Sequence, residues 1–357
     1  MALSKLYYCE ANCVADDATN AIGIVKSWLH ALKTFPMQQK TGTRGTSGAI
    51  PAAAAWTMYY SCDGTAGGVG VAGDGVDRLG GATYNAAKWV RGNGAAAHSW
   101  FVLRSPLGIS TRDPLSYYYL IVSFNGSADT QHQIVLCKNT PTGGTLTARP
   151  TSSDEVAFTA GVPMSDVTVT AHKLNFVGDG IGGFYVAIGK SGAGQPHTLF
   201  GVGELVSPGI AEGDVFPVFG VFDTMTTGRG VLSTQPTGAY GYGGFGQIGF
   251  CTRGPTGLVS NSSTQYGTGI LGGYGSLLLG RSTLNTASGY QDATAAILHF
   301  VGVGVTPATA GNKGTIPDWW LTNSARSVGS CEPDAGATEH VLYGYFWVPN
   351  GGVAPAY

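Results

Sequence analysis

Charge is what this chain has least of. Only 11% of its 357 residues are Asp, Glu, Lys or Arg, against roughly 25% in ordinary soluble domains. The 19 basic and 21 acidic residues nearly cancel, leaving a formal net charge of −2. A nucleic-acid binder needs a dense Lys/Arg footprint, so no nucleic-acid partner is expected. Long apolar runs are missing too. The longest, Ile297 to Val305, includes His299 and is followed by Thr306-Pro307, well short of the ~18 consecutive apolar residues of a membrane helix. The first residues hold Lys5, an early Glu10 and no apolar stretch, unlike an export signal. The expectation is a chain made and folded in a cytosol, with no membrane partner.

Cysteines are few and scattered. Cys9, Cys13, Cys62, Cys137, Cys251 and Cys331 do not make the dense pattern of a disulfide framework. Cys9 and Cys13 lie close together but lack a second ligand pair, so buried free thiols are expected rather than structural zinc.

Catalytic signatures are equally sparse. There is no G-x-S-x-G elbow and no H-E-x-x-H pair, which removes the usual marks of serine hydrolases and zinc proteases. G-x-G-x-x-G recurs, with matches beginning at Gly68, Gly178 and Gly241 among others, but a chain this rich in glycine supplies such matches by chance, and none links a strand to a helix. Gly189-Lys190-Ser191 looks like the tail of a phosphate loop, yet Phe184 stands where the upstream glycine is required. Asp74 with Asp77, or Asp154 with Glu155, are the candidate carboxylate pairs for glycoside hydrolysis. Both lie among turn-forming residues and read as turn chemistry; the Asp74/Asp77 spacing is not that of a calcium loop. His98, beside Ser99-Trp100, reads as a hydrogen-bonded core or interface histidine. No catalytic residue, cofactor or metal is expected, and the chain is not expected to be an enzyme.

What the chain has in abundance is glycine, 57 residues, and apolar side chains, 43%. The glycines follow no G-X-Y period, which excludes collagen, and the apolar content is ample for a packed core. One helix is legible: Asp16-Asp17 as N-cap, Ile22, Val25, Leu29 and Leu32 on one stripe, Lys33 in the last turn and Pro36 beyond. Its amphipathic pattern fits a helix that caps its own body or docks on a neighbour. A second short helix is expected over Ala82 to Arg91. The remainder reads as strands: Trp56–Cys62, His98–Arg104, Tyr117–Phe124, Gln133–Lys138, Val167–Leu174, Phe184–Ile188, His197–Val202, Val215–Phe222, Ser276–Leu279, Ile297–Val303 and Val341–Val348. Pro217 marks its run as an edge strand or a bend. Many strands without intervening helices predict a mainly β, antiparallel fold, β-sandwich or barrel-like, with one N-terminal amphipathic helix.

From Thr224 to Gln291 the only charges are Arg229, Arg253 and Arg281, and glycine alternates with aromatics. This reads as a long Gly/Tyr-rich insertion, either a long ordered loop or a self-association surface, with Tyr240, Tyr242 and Phe245 as contact residues. The expected organisation is residues 1–48 as helix and arm and 49–357 as a β-rich body, with a possible subdivision near 140–153 and the insertion at 224–291. Trp319 and Trp320, after Pro317-Asp318, are candidates for an interface or a sugar-stacking platform.

Three patches carry a family resemblance. Trp89-Val-Arg leads to Ala96-Ala-His-Ser-Trp-Phe-Val-Leu-Arg-Ser-Pro106, with Tyr117–Phe124 as the partner strand; Ile316-Pro-Asp-Trp-Trp320 follows; Gly344-Tyr-Phe-Trp-Val-Pro-Asn350 closes. Together they resemble structural proteins of tailed-bacteriophage virions. The resemblance implies a non-enzymatic building block of the virion, assembled in the host cytoplasm into symmetric oligomers in the tail, baseplate or neck or on the capsid surface. Its partners would be copies of itself and other virion proteins. The alternative is a β-sandwich that binds carbohydrate or a receptor, with a host surface glycan as its ligand.

Overall fold

The computed structural model describes residues 6–12, 21–38, 50–90, 97–109, 114–124, 133–153, 156–160, 172–190, 197–203, 216–223, 230–232, 248–254, 257–261, 276–280, 294–301, 311–321, 340–343 and 346–349. Among these residues there is one α-helix, α1 (Ala21–Thr34), and strands that all pair antiparallel. The fold is mainly β. The strands form three sheets. The six-stranded sheet runs β11 (Gly230–Leu232), β6 (Val156–Ala160), β5 (Gln133–Cys137), β4 (Tyr119–Phe124), β3 (Ser99–Arg104), β2 (Thr57–Cys62). The seven-stranded sheet runs β1 (Tyr7–Asn12), β7 (His172–Gly178), β8 (Phe184–Lys190), β9 (His197–Gly203), β10 (Phe216–Asp223), β12 (Ile248–Gly254), β13 (Gly257–Asn261). The five-stranded sheet runs β14 (Ser276–Gly280), β15 (Thr294–Val301), β16 (Gly311–Leu321), β18 (Phe346–Pro349), β17 (His340–Tyr343).

The period of two in a strand decides what each face meets. Phe101 and Leu103 of β3, Leu120, Val122 and Phe124 of β4, and Ile134 and Leu136 of β5 enter one core with α1. Leu174 and Phe176 of β7 and Phe184 and Val186 of β8 enter the same core from the seven-stranded sheet. Helix α1 contacts both β4 and β7, and Phe35 just beyond it stacks on Phe176 at 4.6 Å. Opposite-parity residues build a second cluster on the other face of the six-stranded sheet: Trp100, Val102, Tyr119, Ile121, Val135 and Cys137. That is why YLIVSF is apolar at every position but Ser123: both of its faces are buried.

Helix α1 itself departs from the amphipathic expectation. From Ser27 to Thr34 every side chain is buried, the polar Ser27, His30, Lys33 and Thr34 included. Its polar face is covered by the chain's own residues 77–84. The Asp16-Asp17 cap lies outside the described residues, as do the Val167–Ala171 part of the Val167–Leu174 strand and Asp154-Glu155. The second helix reduces to one 3-10 turn at Ala86–Lys88, capped by the Asn85 side chain accepting from the Ala87 N–H at 3.1 Å. Gly80 and Gly81, both at positive φ, mark the turn before it, and Trp89 is spent on packing against Phe101.

Three further readings change. Val341–Val348 is two strands paired with each other, β17 and β18. Strand β10 is interior, between β9 and β12, and Pro217 sits at a register shift between Phe216 and Phe219, so it bends the strand rather than making it an edge. The described parts of 224–291 are not an inserted loop: they supply β11, β12, β13 and β14, spread over all three sheets. Short apolar runs between the glycines, such as Leu258-Val259 and Leu277-Leu278-Leu279, carry that strand character. The turn-rich 140–153 segment lies across the outer face of the six-stranded sheet. Its Thr145 and Gly143 carbonyls accept from Trp100 Nε1 at 2.9 Å and Tyr60 Oη at 3.2 Å.

Candidate functional site

The Ile316–Trp320 motif sits in a break of the β15–β16 ladder. Thr315 pairs with Ile297, the next paired residue is Trp320 opposite Ala295, and the intervening residues bulge out. Pro317 has no N–H to give a ladder, and Asp318 adopts φ 54, a left-handed conformation that Asp tolerates better than most residues. A bulge re-aims the side chains it carries. Trp319 becomes fully buried, edge-on to Tyr185 of β8 with ring centroids 6.1 Å apart. Asp318 becomes an acceptor at both oxygens: Tyr8 Oη of β1 donates to Oδ2 at 2.8 Å, and His340 Nε2 of β17 lies 3.0 Å from Oδ1. A carboxylate only accepts, so the His340 proton in this contact sits on Nε2. His340 is 1% exposed, while the Asp318 side chain keeps 19%. The arrangement is a clasp joining the two ends of the chain across two sheets.

Trp319 therefore presents no face to a sugar. Trp320 lies on β16 with its backbone opposite Trp347 of β18. Tyr240, Tyr242 and Phe245 lie outside the described residues. The clasp brings together Tyr8, Asp318 and His340, none of which the sequence marks as a site residue; the one local signal is that Asp318 follows a proline in the Ile316–Trp320 motif.

The second charged constellation surrounds β2. Asp63 accepts at Oδ1 from the Thr65 N–H and hydroxyl and pairs through Oδ2 with Lys88 Nζ at 2.6 Å. Burial alone would raise the Asp63 carboxyl, but the Lys88 and Thr65 hydrogen bonds outweigh it and hold it below the usual range. Asp74 accepts from the Val71 and Val76 N–H groups and pairs with Arg78 at 2.9 Å; these contacts likewise overcome burial and hold it low. Asp77 accepts from the Leu79 N–H at 2.9 Å and pairs with Lys33 Nζ at 2.6 Å. Burial pushes the Lys33 amine down, and Asp77 offsets part of that. Asp74 and Asp77 are thus turn and ion-pair residues. Cys62 and Cys137 are buried free thiols, and burial pushes the Cys62 thiol up. His98 is buried.

At one end, the β3–β4 and β7–β8 connections expose Leu107, Leu115, Tyr117 and Ile181. The Asp179 carboxylate organises the latter turn, accepting from the N–H groups of Ile181, Gly182 and Gly183 at 2.8–3.0 Å. Among the described residues no cluster of His, Cys, Asp or Glu is placed to hold a metal, and no helix is long and apolar enough to cross a membrane. Compared with protein-family models, curated proteins and solved structures, the chain matches none.

Proposed function

We propose that this chain is a non-enzymatic structural protein of a bacteriophage virion, assembling with copies of itself and with other virion proteins in the tail, baseplate or neck or on the capsid surface. Its body is a sandwich-like stack in which two sheets close on α1 and the five-stranded sheet packs outside. The observation that carries the reading is where the resembling residues lie. Trp100, Phe101 and their partner strand form the β3–β4 ladder at the centre of a sheet buried on both faces. The other two patches meet as Trp320 opposite Trp347. The resemblance thus rests on scaffold rather than on an open site, as a building block requires. The scarce charges support the same reading, because Lys33, Arg78 and Lys88 are each spent on an internal partner. A surface poor in charge tends to associate, and symmetric self-assembly is the common outcome.

Light scattering of the purified chain at several concentrations tests self-assembly. A defined oligomer or a larger assembly is expected; a monomer at every concentration overturns it. Mass spectrometry of particles from producing cells tests the virion assignment, with the chain expected at structural abundance and its absence counting against it.

A further inference from the structure

The outer face of the six-stranded sheet ends in one cross-strand row. Cys137 of β5, Tyr119 of β4, Arg104 of β3 and Thr57 of β2 stand opposite one another in register. The next row on the same face, Val135, Ile121, Val102 and Tyr60, is wholly buried. The end row is not. Cys137 and Tyr119 are buried, Arg104 is half-buried and Thr57 is exposed.

Aromatic rings gather around Arg104. Its guanidinium lies over the ring of Tyr117, with Cζ 4.7 Å from the centroid, and Tyr117 is 36% exposed. Tyr59, at the bulge of β2, meets Tyr119 edge-on with centroids 5.2 Å apart. Gly73 lies against the Tyr59 ring, and Thr140 Oγ1 donates to Tyr119 Oη at 3.2 Å.

Lys33, Arg78 and Lys88 each face a carboxylate. Arg104 makes no ion pair and no hydrogen bond among the described residues. Its Nε is sealed from solvent without a partner, which leaves the Nη groups as its open donors. A guanidinium keeps its charge at any pH a protein meets, and a half-buried donor without an acceptor costs stability. Such an exception calls for an acceptor from outside the fold. The hydroxyls around it are also available. Those of Tyr59 and Tyr117 have no hydrogen-bond partner among the described residues, and Tyr119, which accepts from Thr140, keeps its own proton to give. Burial, with the Tyr119 hydroxyl beside it, pushes the Tyr59 hydroxyl up, and Arg104 offsets part of that. Tyr59 is therefore a neutral donor.

We propose that Arg104, Tyr59, Tyr117 and Tyr119 form a binding site for an acidic sugar, with its carboxylate on the Arg104 Nη groups and its hydroxyls on the phenols. A carboxylate matches the coplanar N–H donors of a guanidinium, and stacking on Tyr117 holds that plane in place. A bare carboxylate, or the acidic side chain of a peptide, brings no hydroxyls for the phenols; a sugar acid brings both.

The site lies within one chain, so it does not depend on self-assembly, which light scattering reports separately. Saturation-transfer NMR with methyl glucuronide and methyl glucoside, which differ in the carboxylate, tests it. The glucuronide is expected to bind about tenfold or more tightly than the glucoside, and Arg104→Gln is expected to remove that difference. Tyr117→Ser, at an exposed position outside the strands, is expected to weaken glucuronide binding roughly threefold or more. No binding of the glucuronide, or equal binding of the glucoside, overturns the proposal. Acetate or inorganic phosphate competing as well as the glucuronide itself overturns the sugar as ligand. Binding unchanged in both variants places it elsewhere and overturns the site. If Arg104→Gln loses hydrogen-exchange protection in β3 and β4, Tyr117→Ser decides by the same binding readout.

Discussion

Lys33 Nζ, on a fully buried turn of α1, lies 2.6 Å from Asp77 Oδ2, whose side chain keeps 13% exposure. The pair is unequal, since one partner is sealed in the core and the other touches water. Lys33 gives a second hydrogen bond to the Gly81 carbonyl at 2.8 Å, so this one amine fastens residues 77–81 over the polar face of the helix.

That inequality sets the order of two substitutions. Asp77→Asn leaves a cation in the core with a weaker acceptor and is expected to cost about 3 kcal/mol. Lys33→Met leaves Asp77 where water reaches it and fills the space with an apolar chain of similar length, so about 1–2 kcal/mol is expected. The double variant is expected to be more stable than Asp77→Asn alone. Urea unfolding of the three variants measures this; equal losses for both single changes would show that burial of Lys33 does not govern the pair.

The acid side of the stability curve is expected to report on Asp63 and Asp74. Both carboxyls are held below their ordinary value of 3.8. Between the folded value and the ordinary one, the unfolded chain binds a proton that the folded chain does not. Stability from these groups is therefore present above the ordinary value and lost as pH falls through the folded one. Urea midpoints are expected to drop below about pH 4, and Lys88→Gln is expected to shallow that drop by removing a charge that holds Asp63 low. A slope identical to wild type would remove Lys88 from the account.

Two adjacent glycines give a sharper contrast. A methyl on Gly68 would overlap the Asp63 carboxylate, whereas one on Gly67 meets nothing within 4 Å. Gly68→Ala must displace Asp63 from Lys88 or from Thr65, at an expected cost of about 1–3 kcal/mol. Gly67→Ala is expected to be neutral or stabilising by up to about 1 kcal/mol, because it narrows the unfolded ensemble. Thermal melts of both variants decide it; similar shifts would mean that Asp63 is not fixed by this corner.

How much of this was legible in the sequence depends on whether the signal was local. Strands such as Ser99–Arg104 and Tyr119–Phe124 announce themselves through dense apolar and aromatic residues. Met58 and Tyr60 show where period-two reading fails. Two residues apart, they should share a face, yet Met58 joins the core with α1 and Tyr60 the opposite cluster, because the ladder shifts register between them. A one-residue bulge leaves no mark in composition. Helix α1 was legible as a helix but not as a buried one, since its His30 and Lys33 find their partners in residues 77–84, far along the chain. The same non-locality hid the clasp: Tyr8 and Asp318 are 310 positions apart, and no spacing rule connects them. In the described parts of 224–291 glycine content reads as loop, although those residues pair into sheets.

The clasp makes the last prediction. Asp318 accepts from Tyr8 and pairs with His340 while its own backbone sits at φ 54. Tyr8→Phe removes one hydrogen bond and is expected to cost about 1 kcal/mol. Asp318→Ala removes the acceptor for both and adds a left-handed alanine; Asp318→Gly removes the same acceptor without that backbone penalty, so glycine is expected to be the milder change by about 1 kcal/mol. Because Tyr8 and Asp318 act on one bond, Tyr8→Phe with Asp318→Ala is expected to cost less than the two singles together. The place to read this is the chain's two ends. Loss of the clasp frees β1 from the five-stranded sheet, so proteolysis around 340–349 is expected to quicken in Tyr8→Phe although Tyr8 is remote in sequence. Strict additivity, together with unchanged cleavage there, would mean that the two ends are held by packing around Trp319 and Tyr185 and that the aspartate contributes nothing of its own.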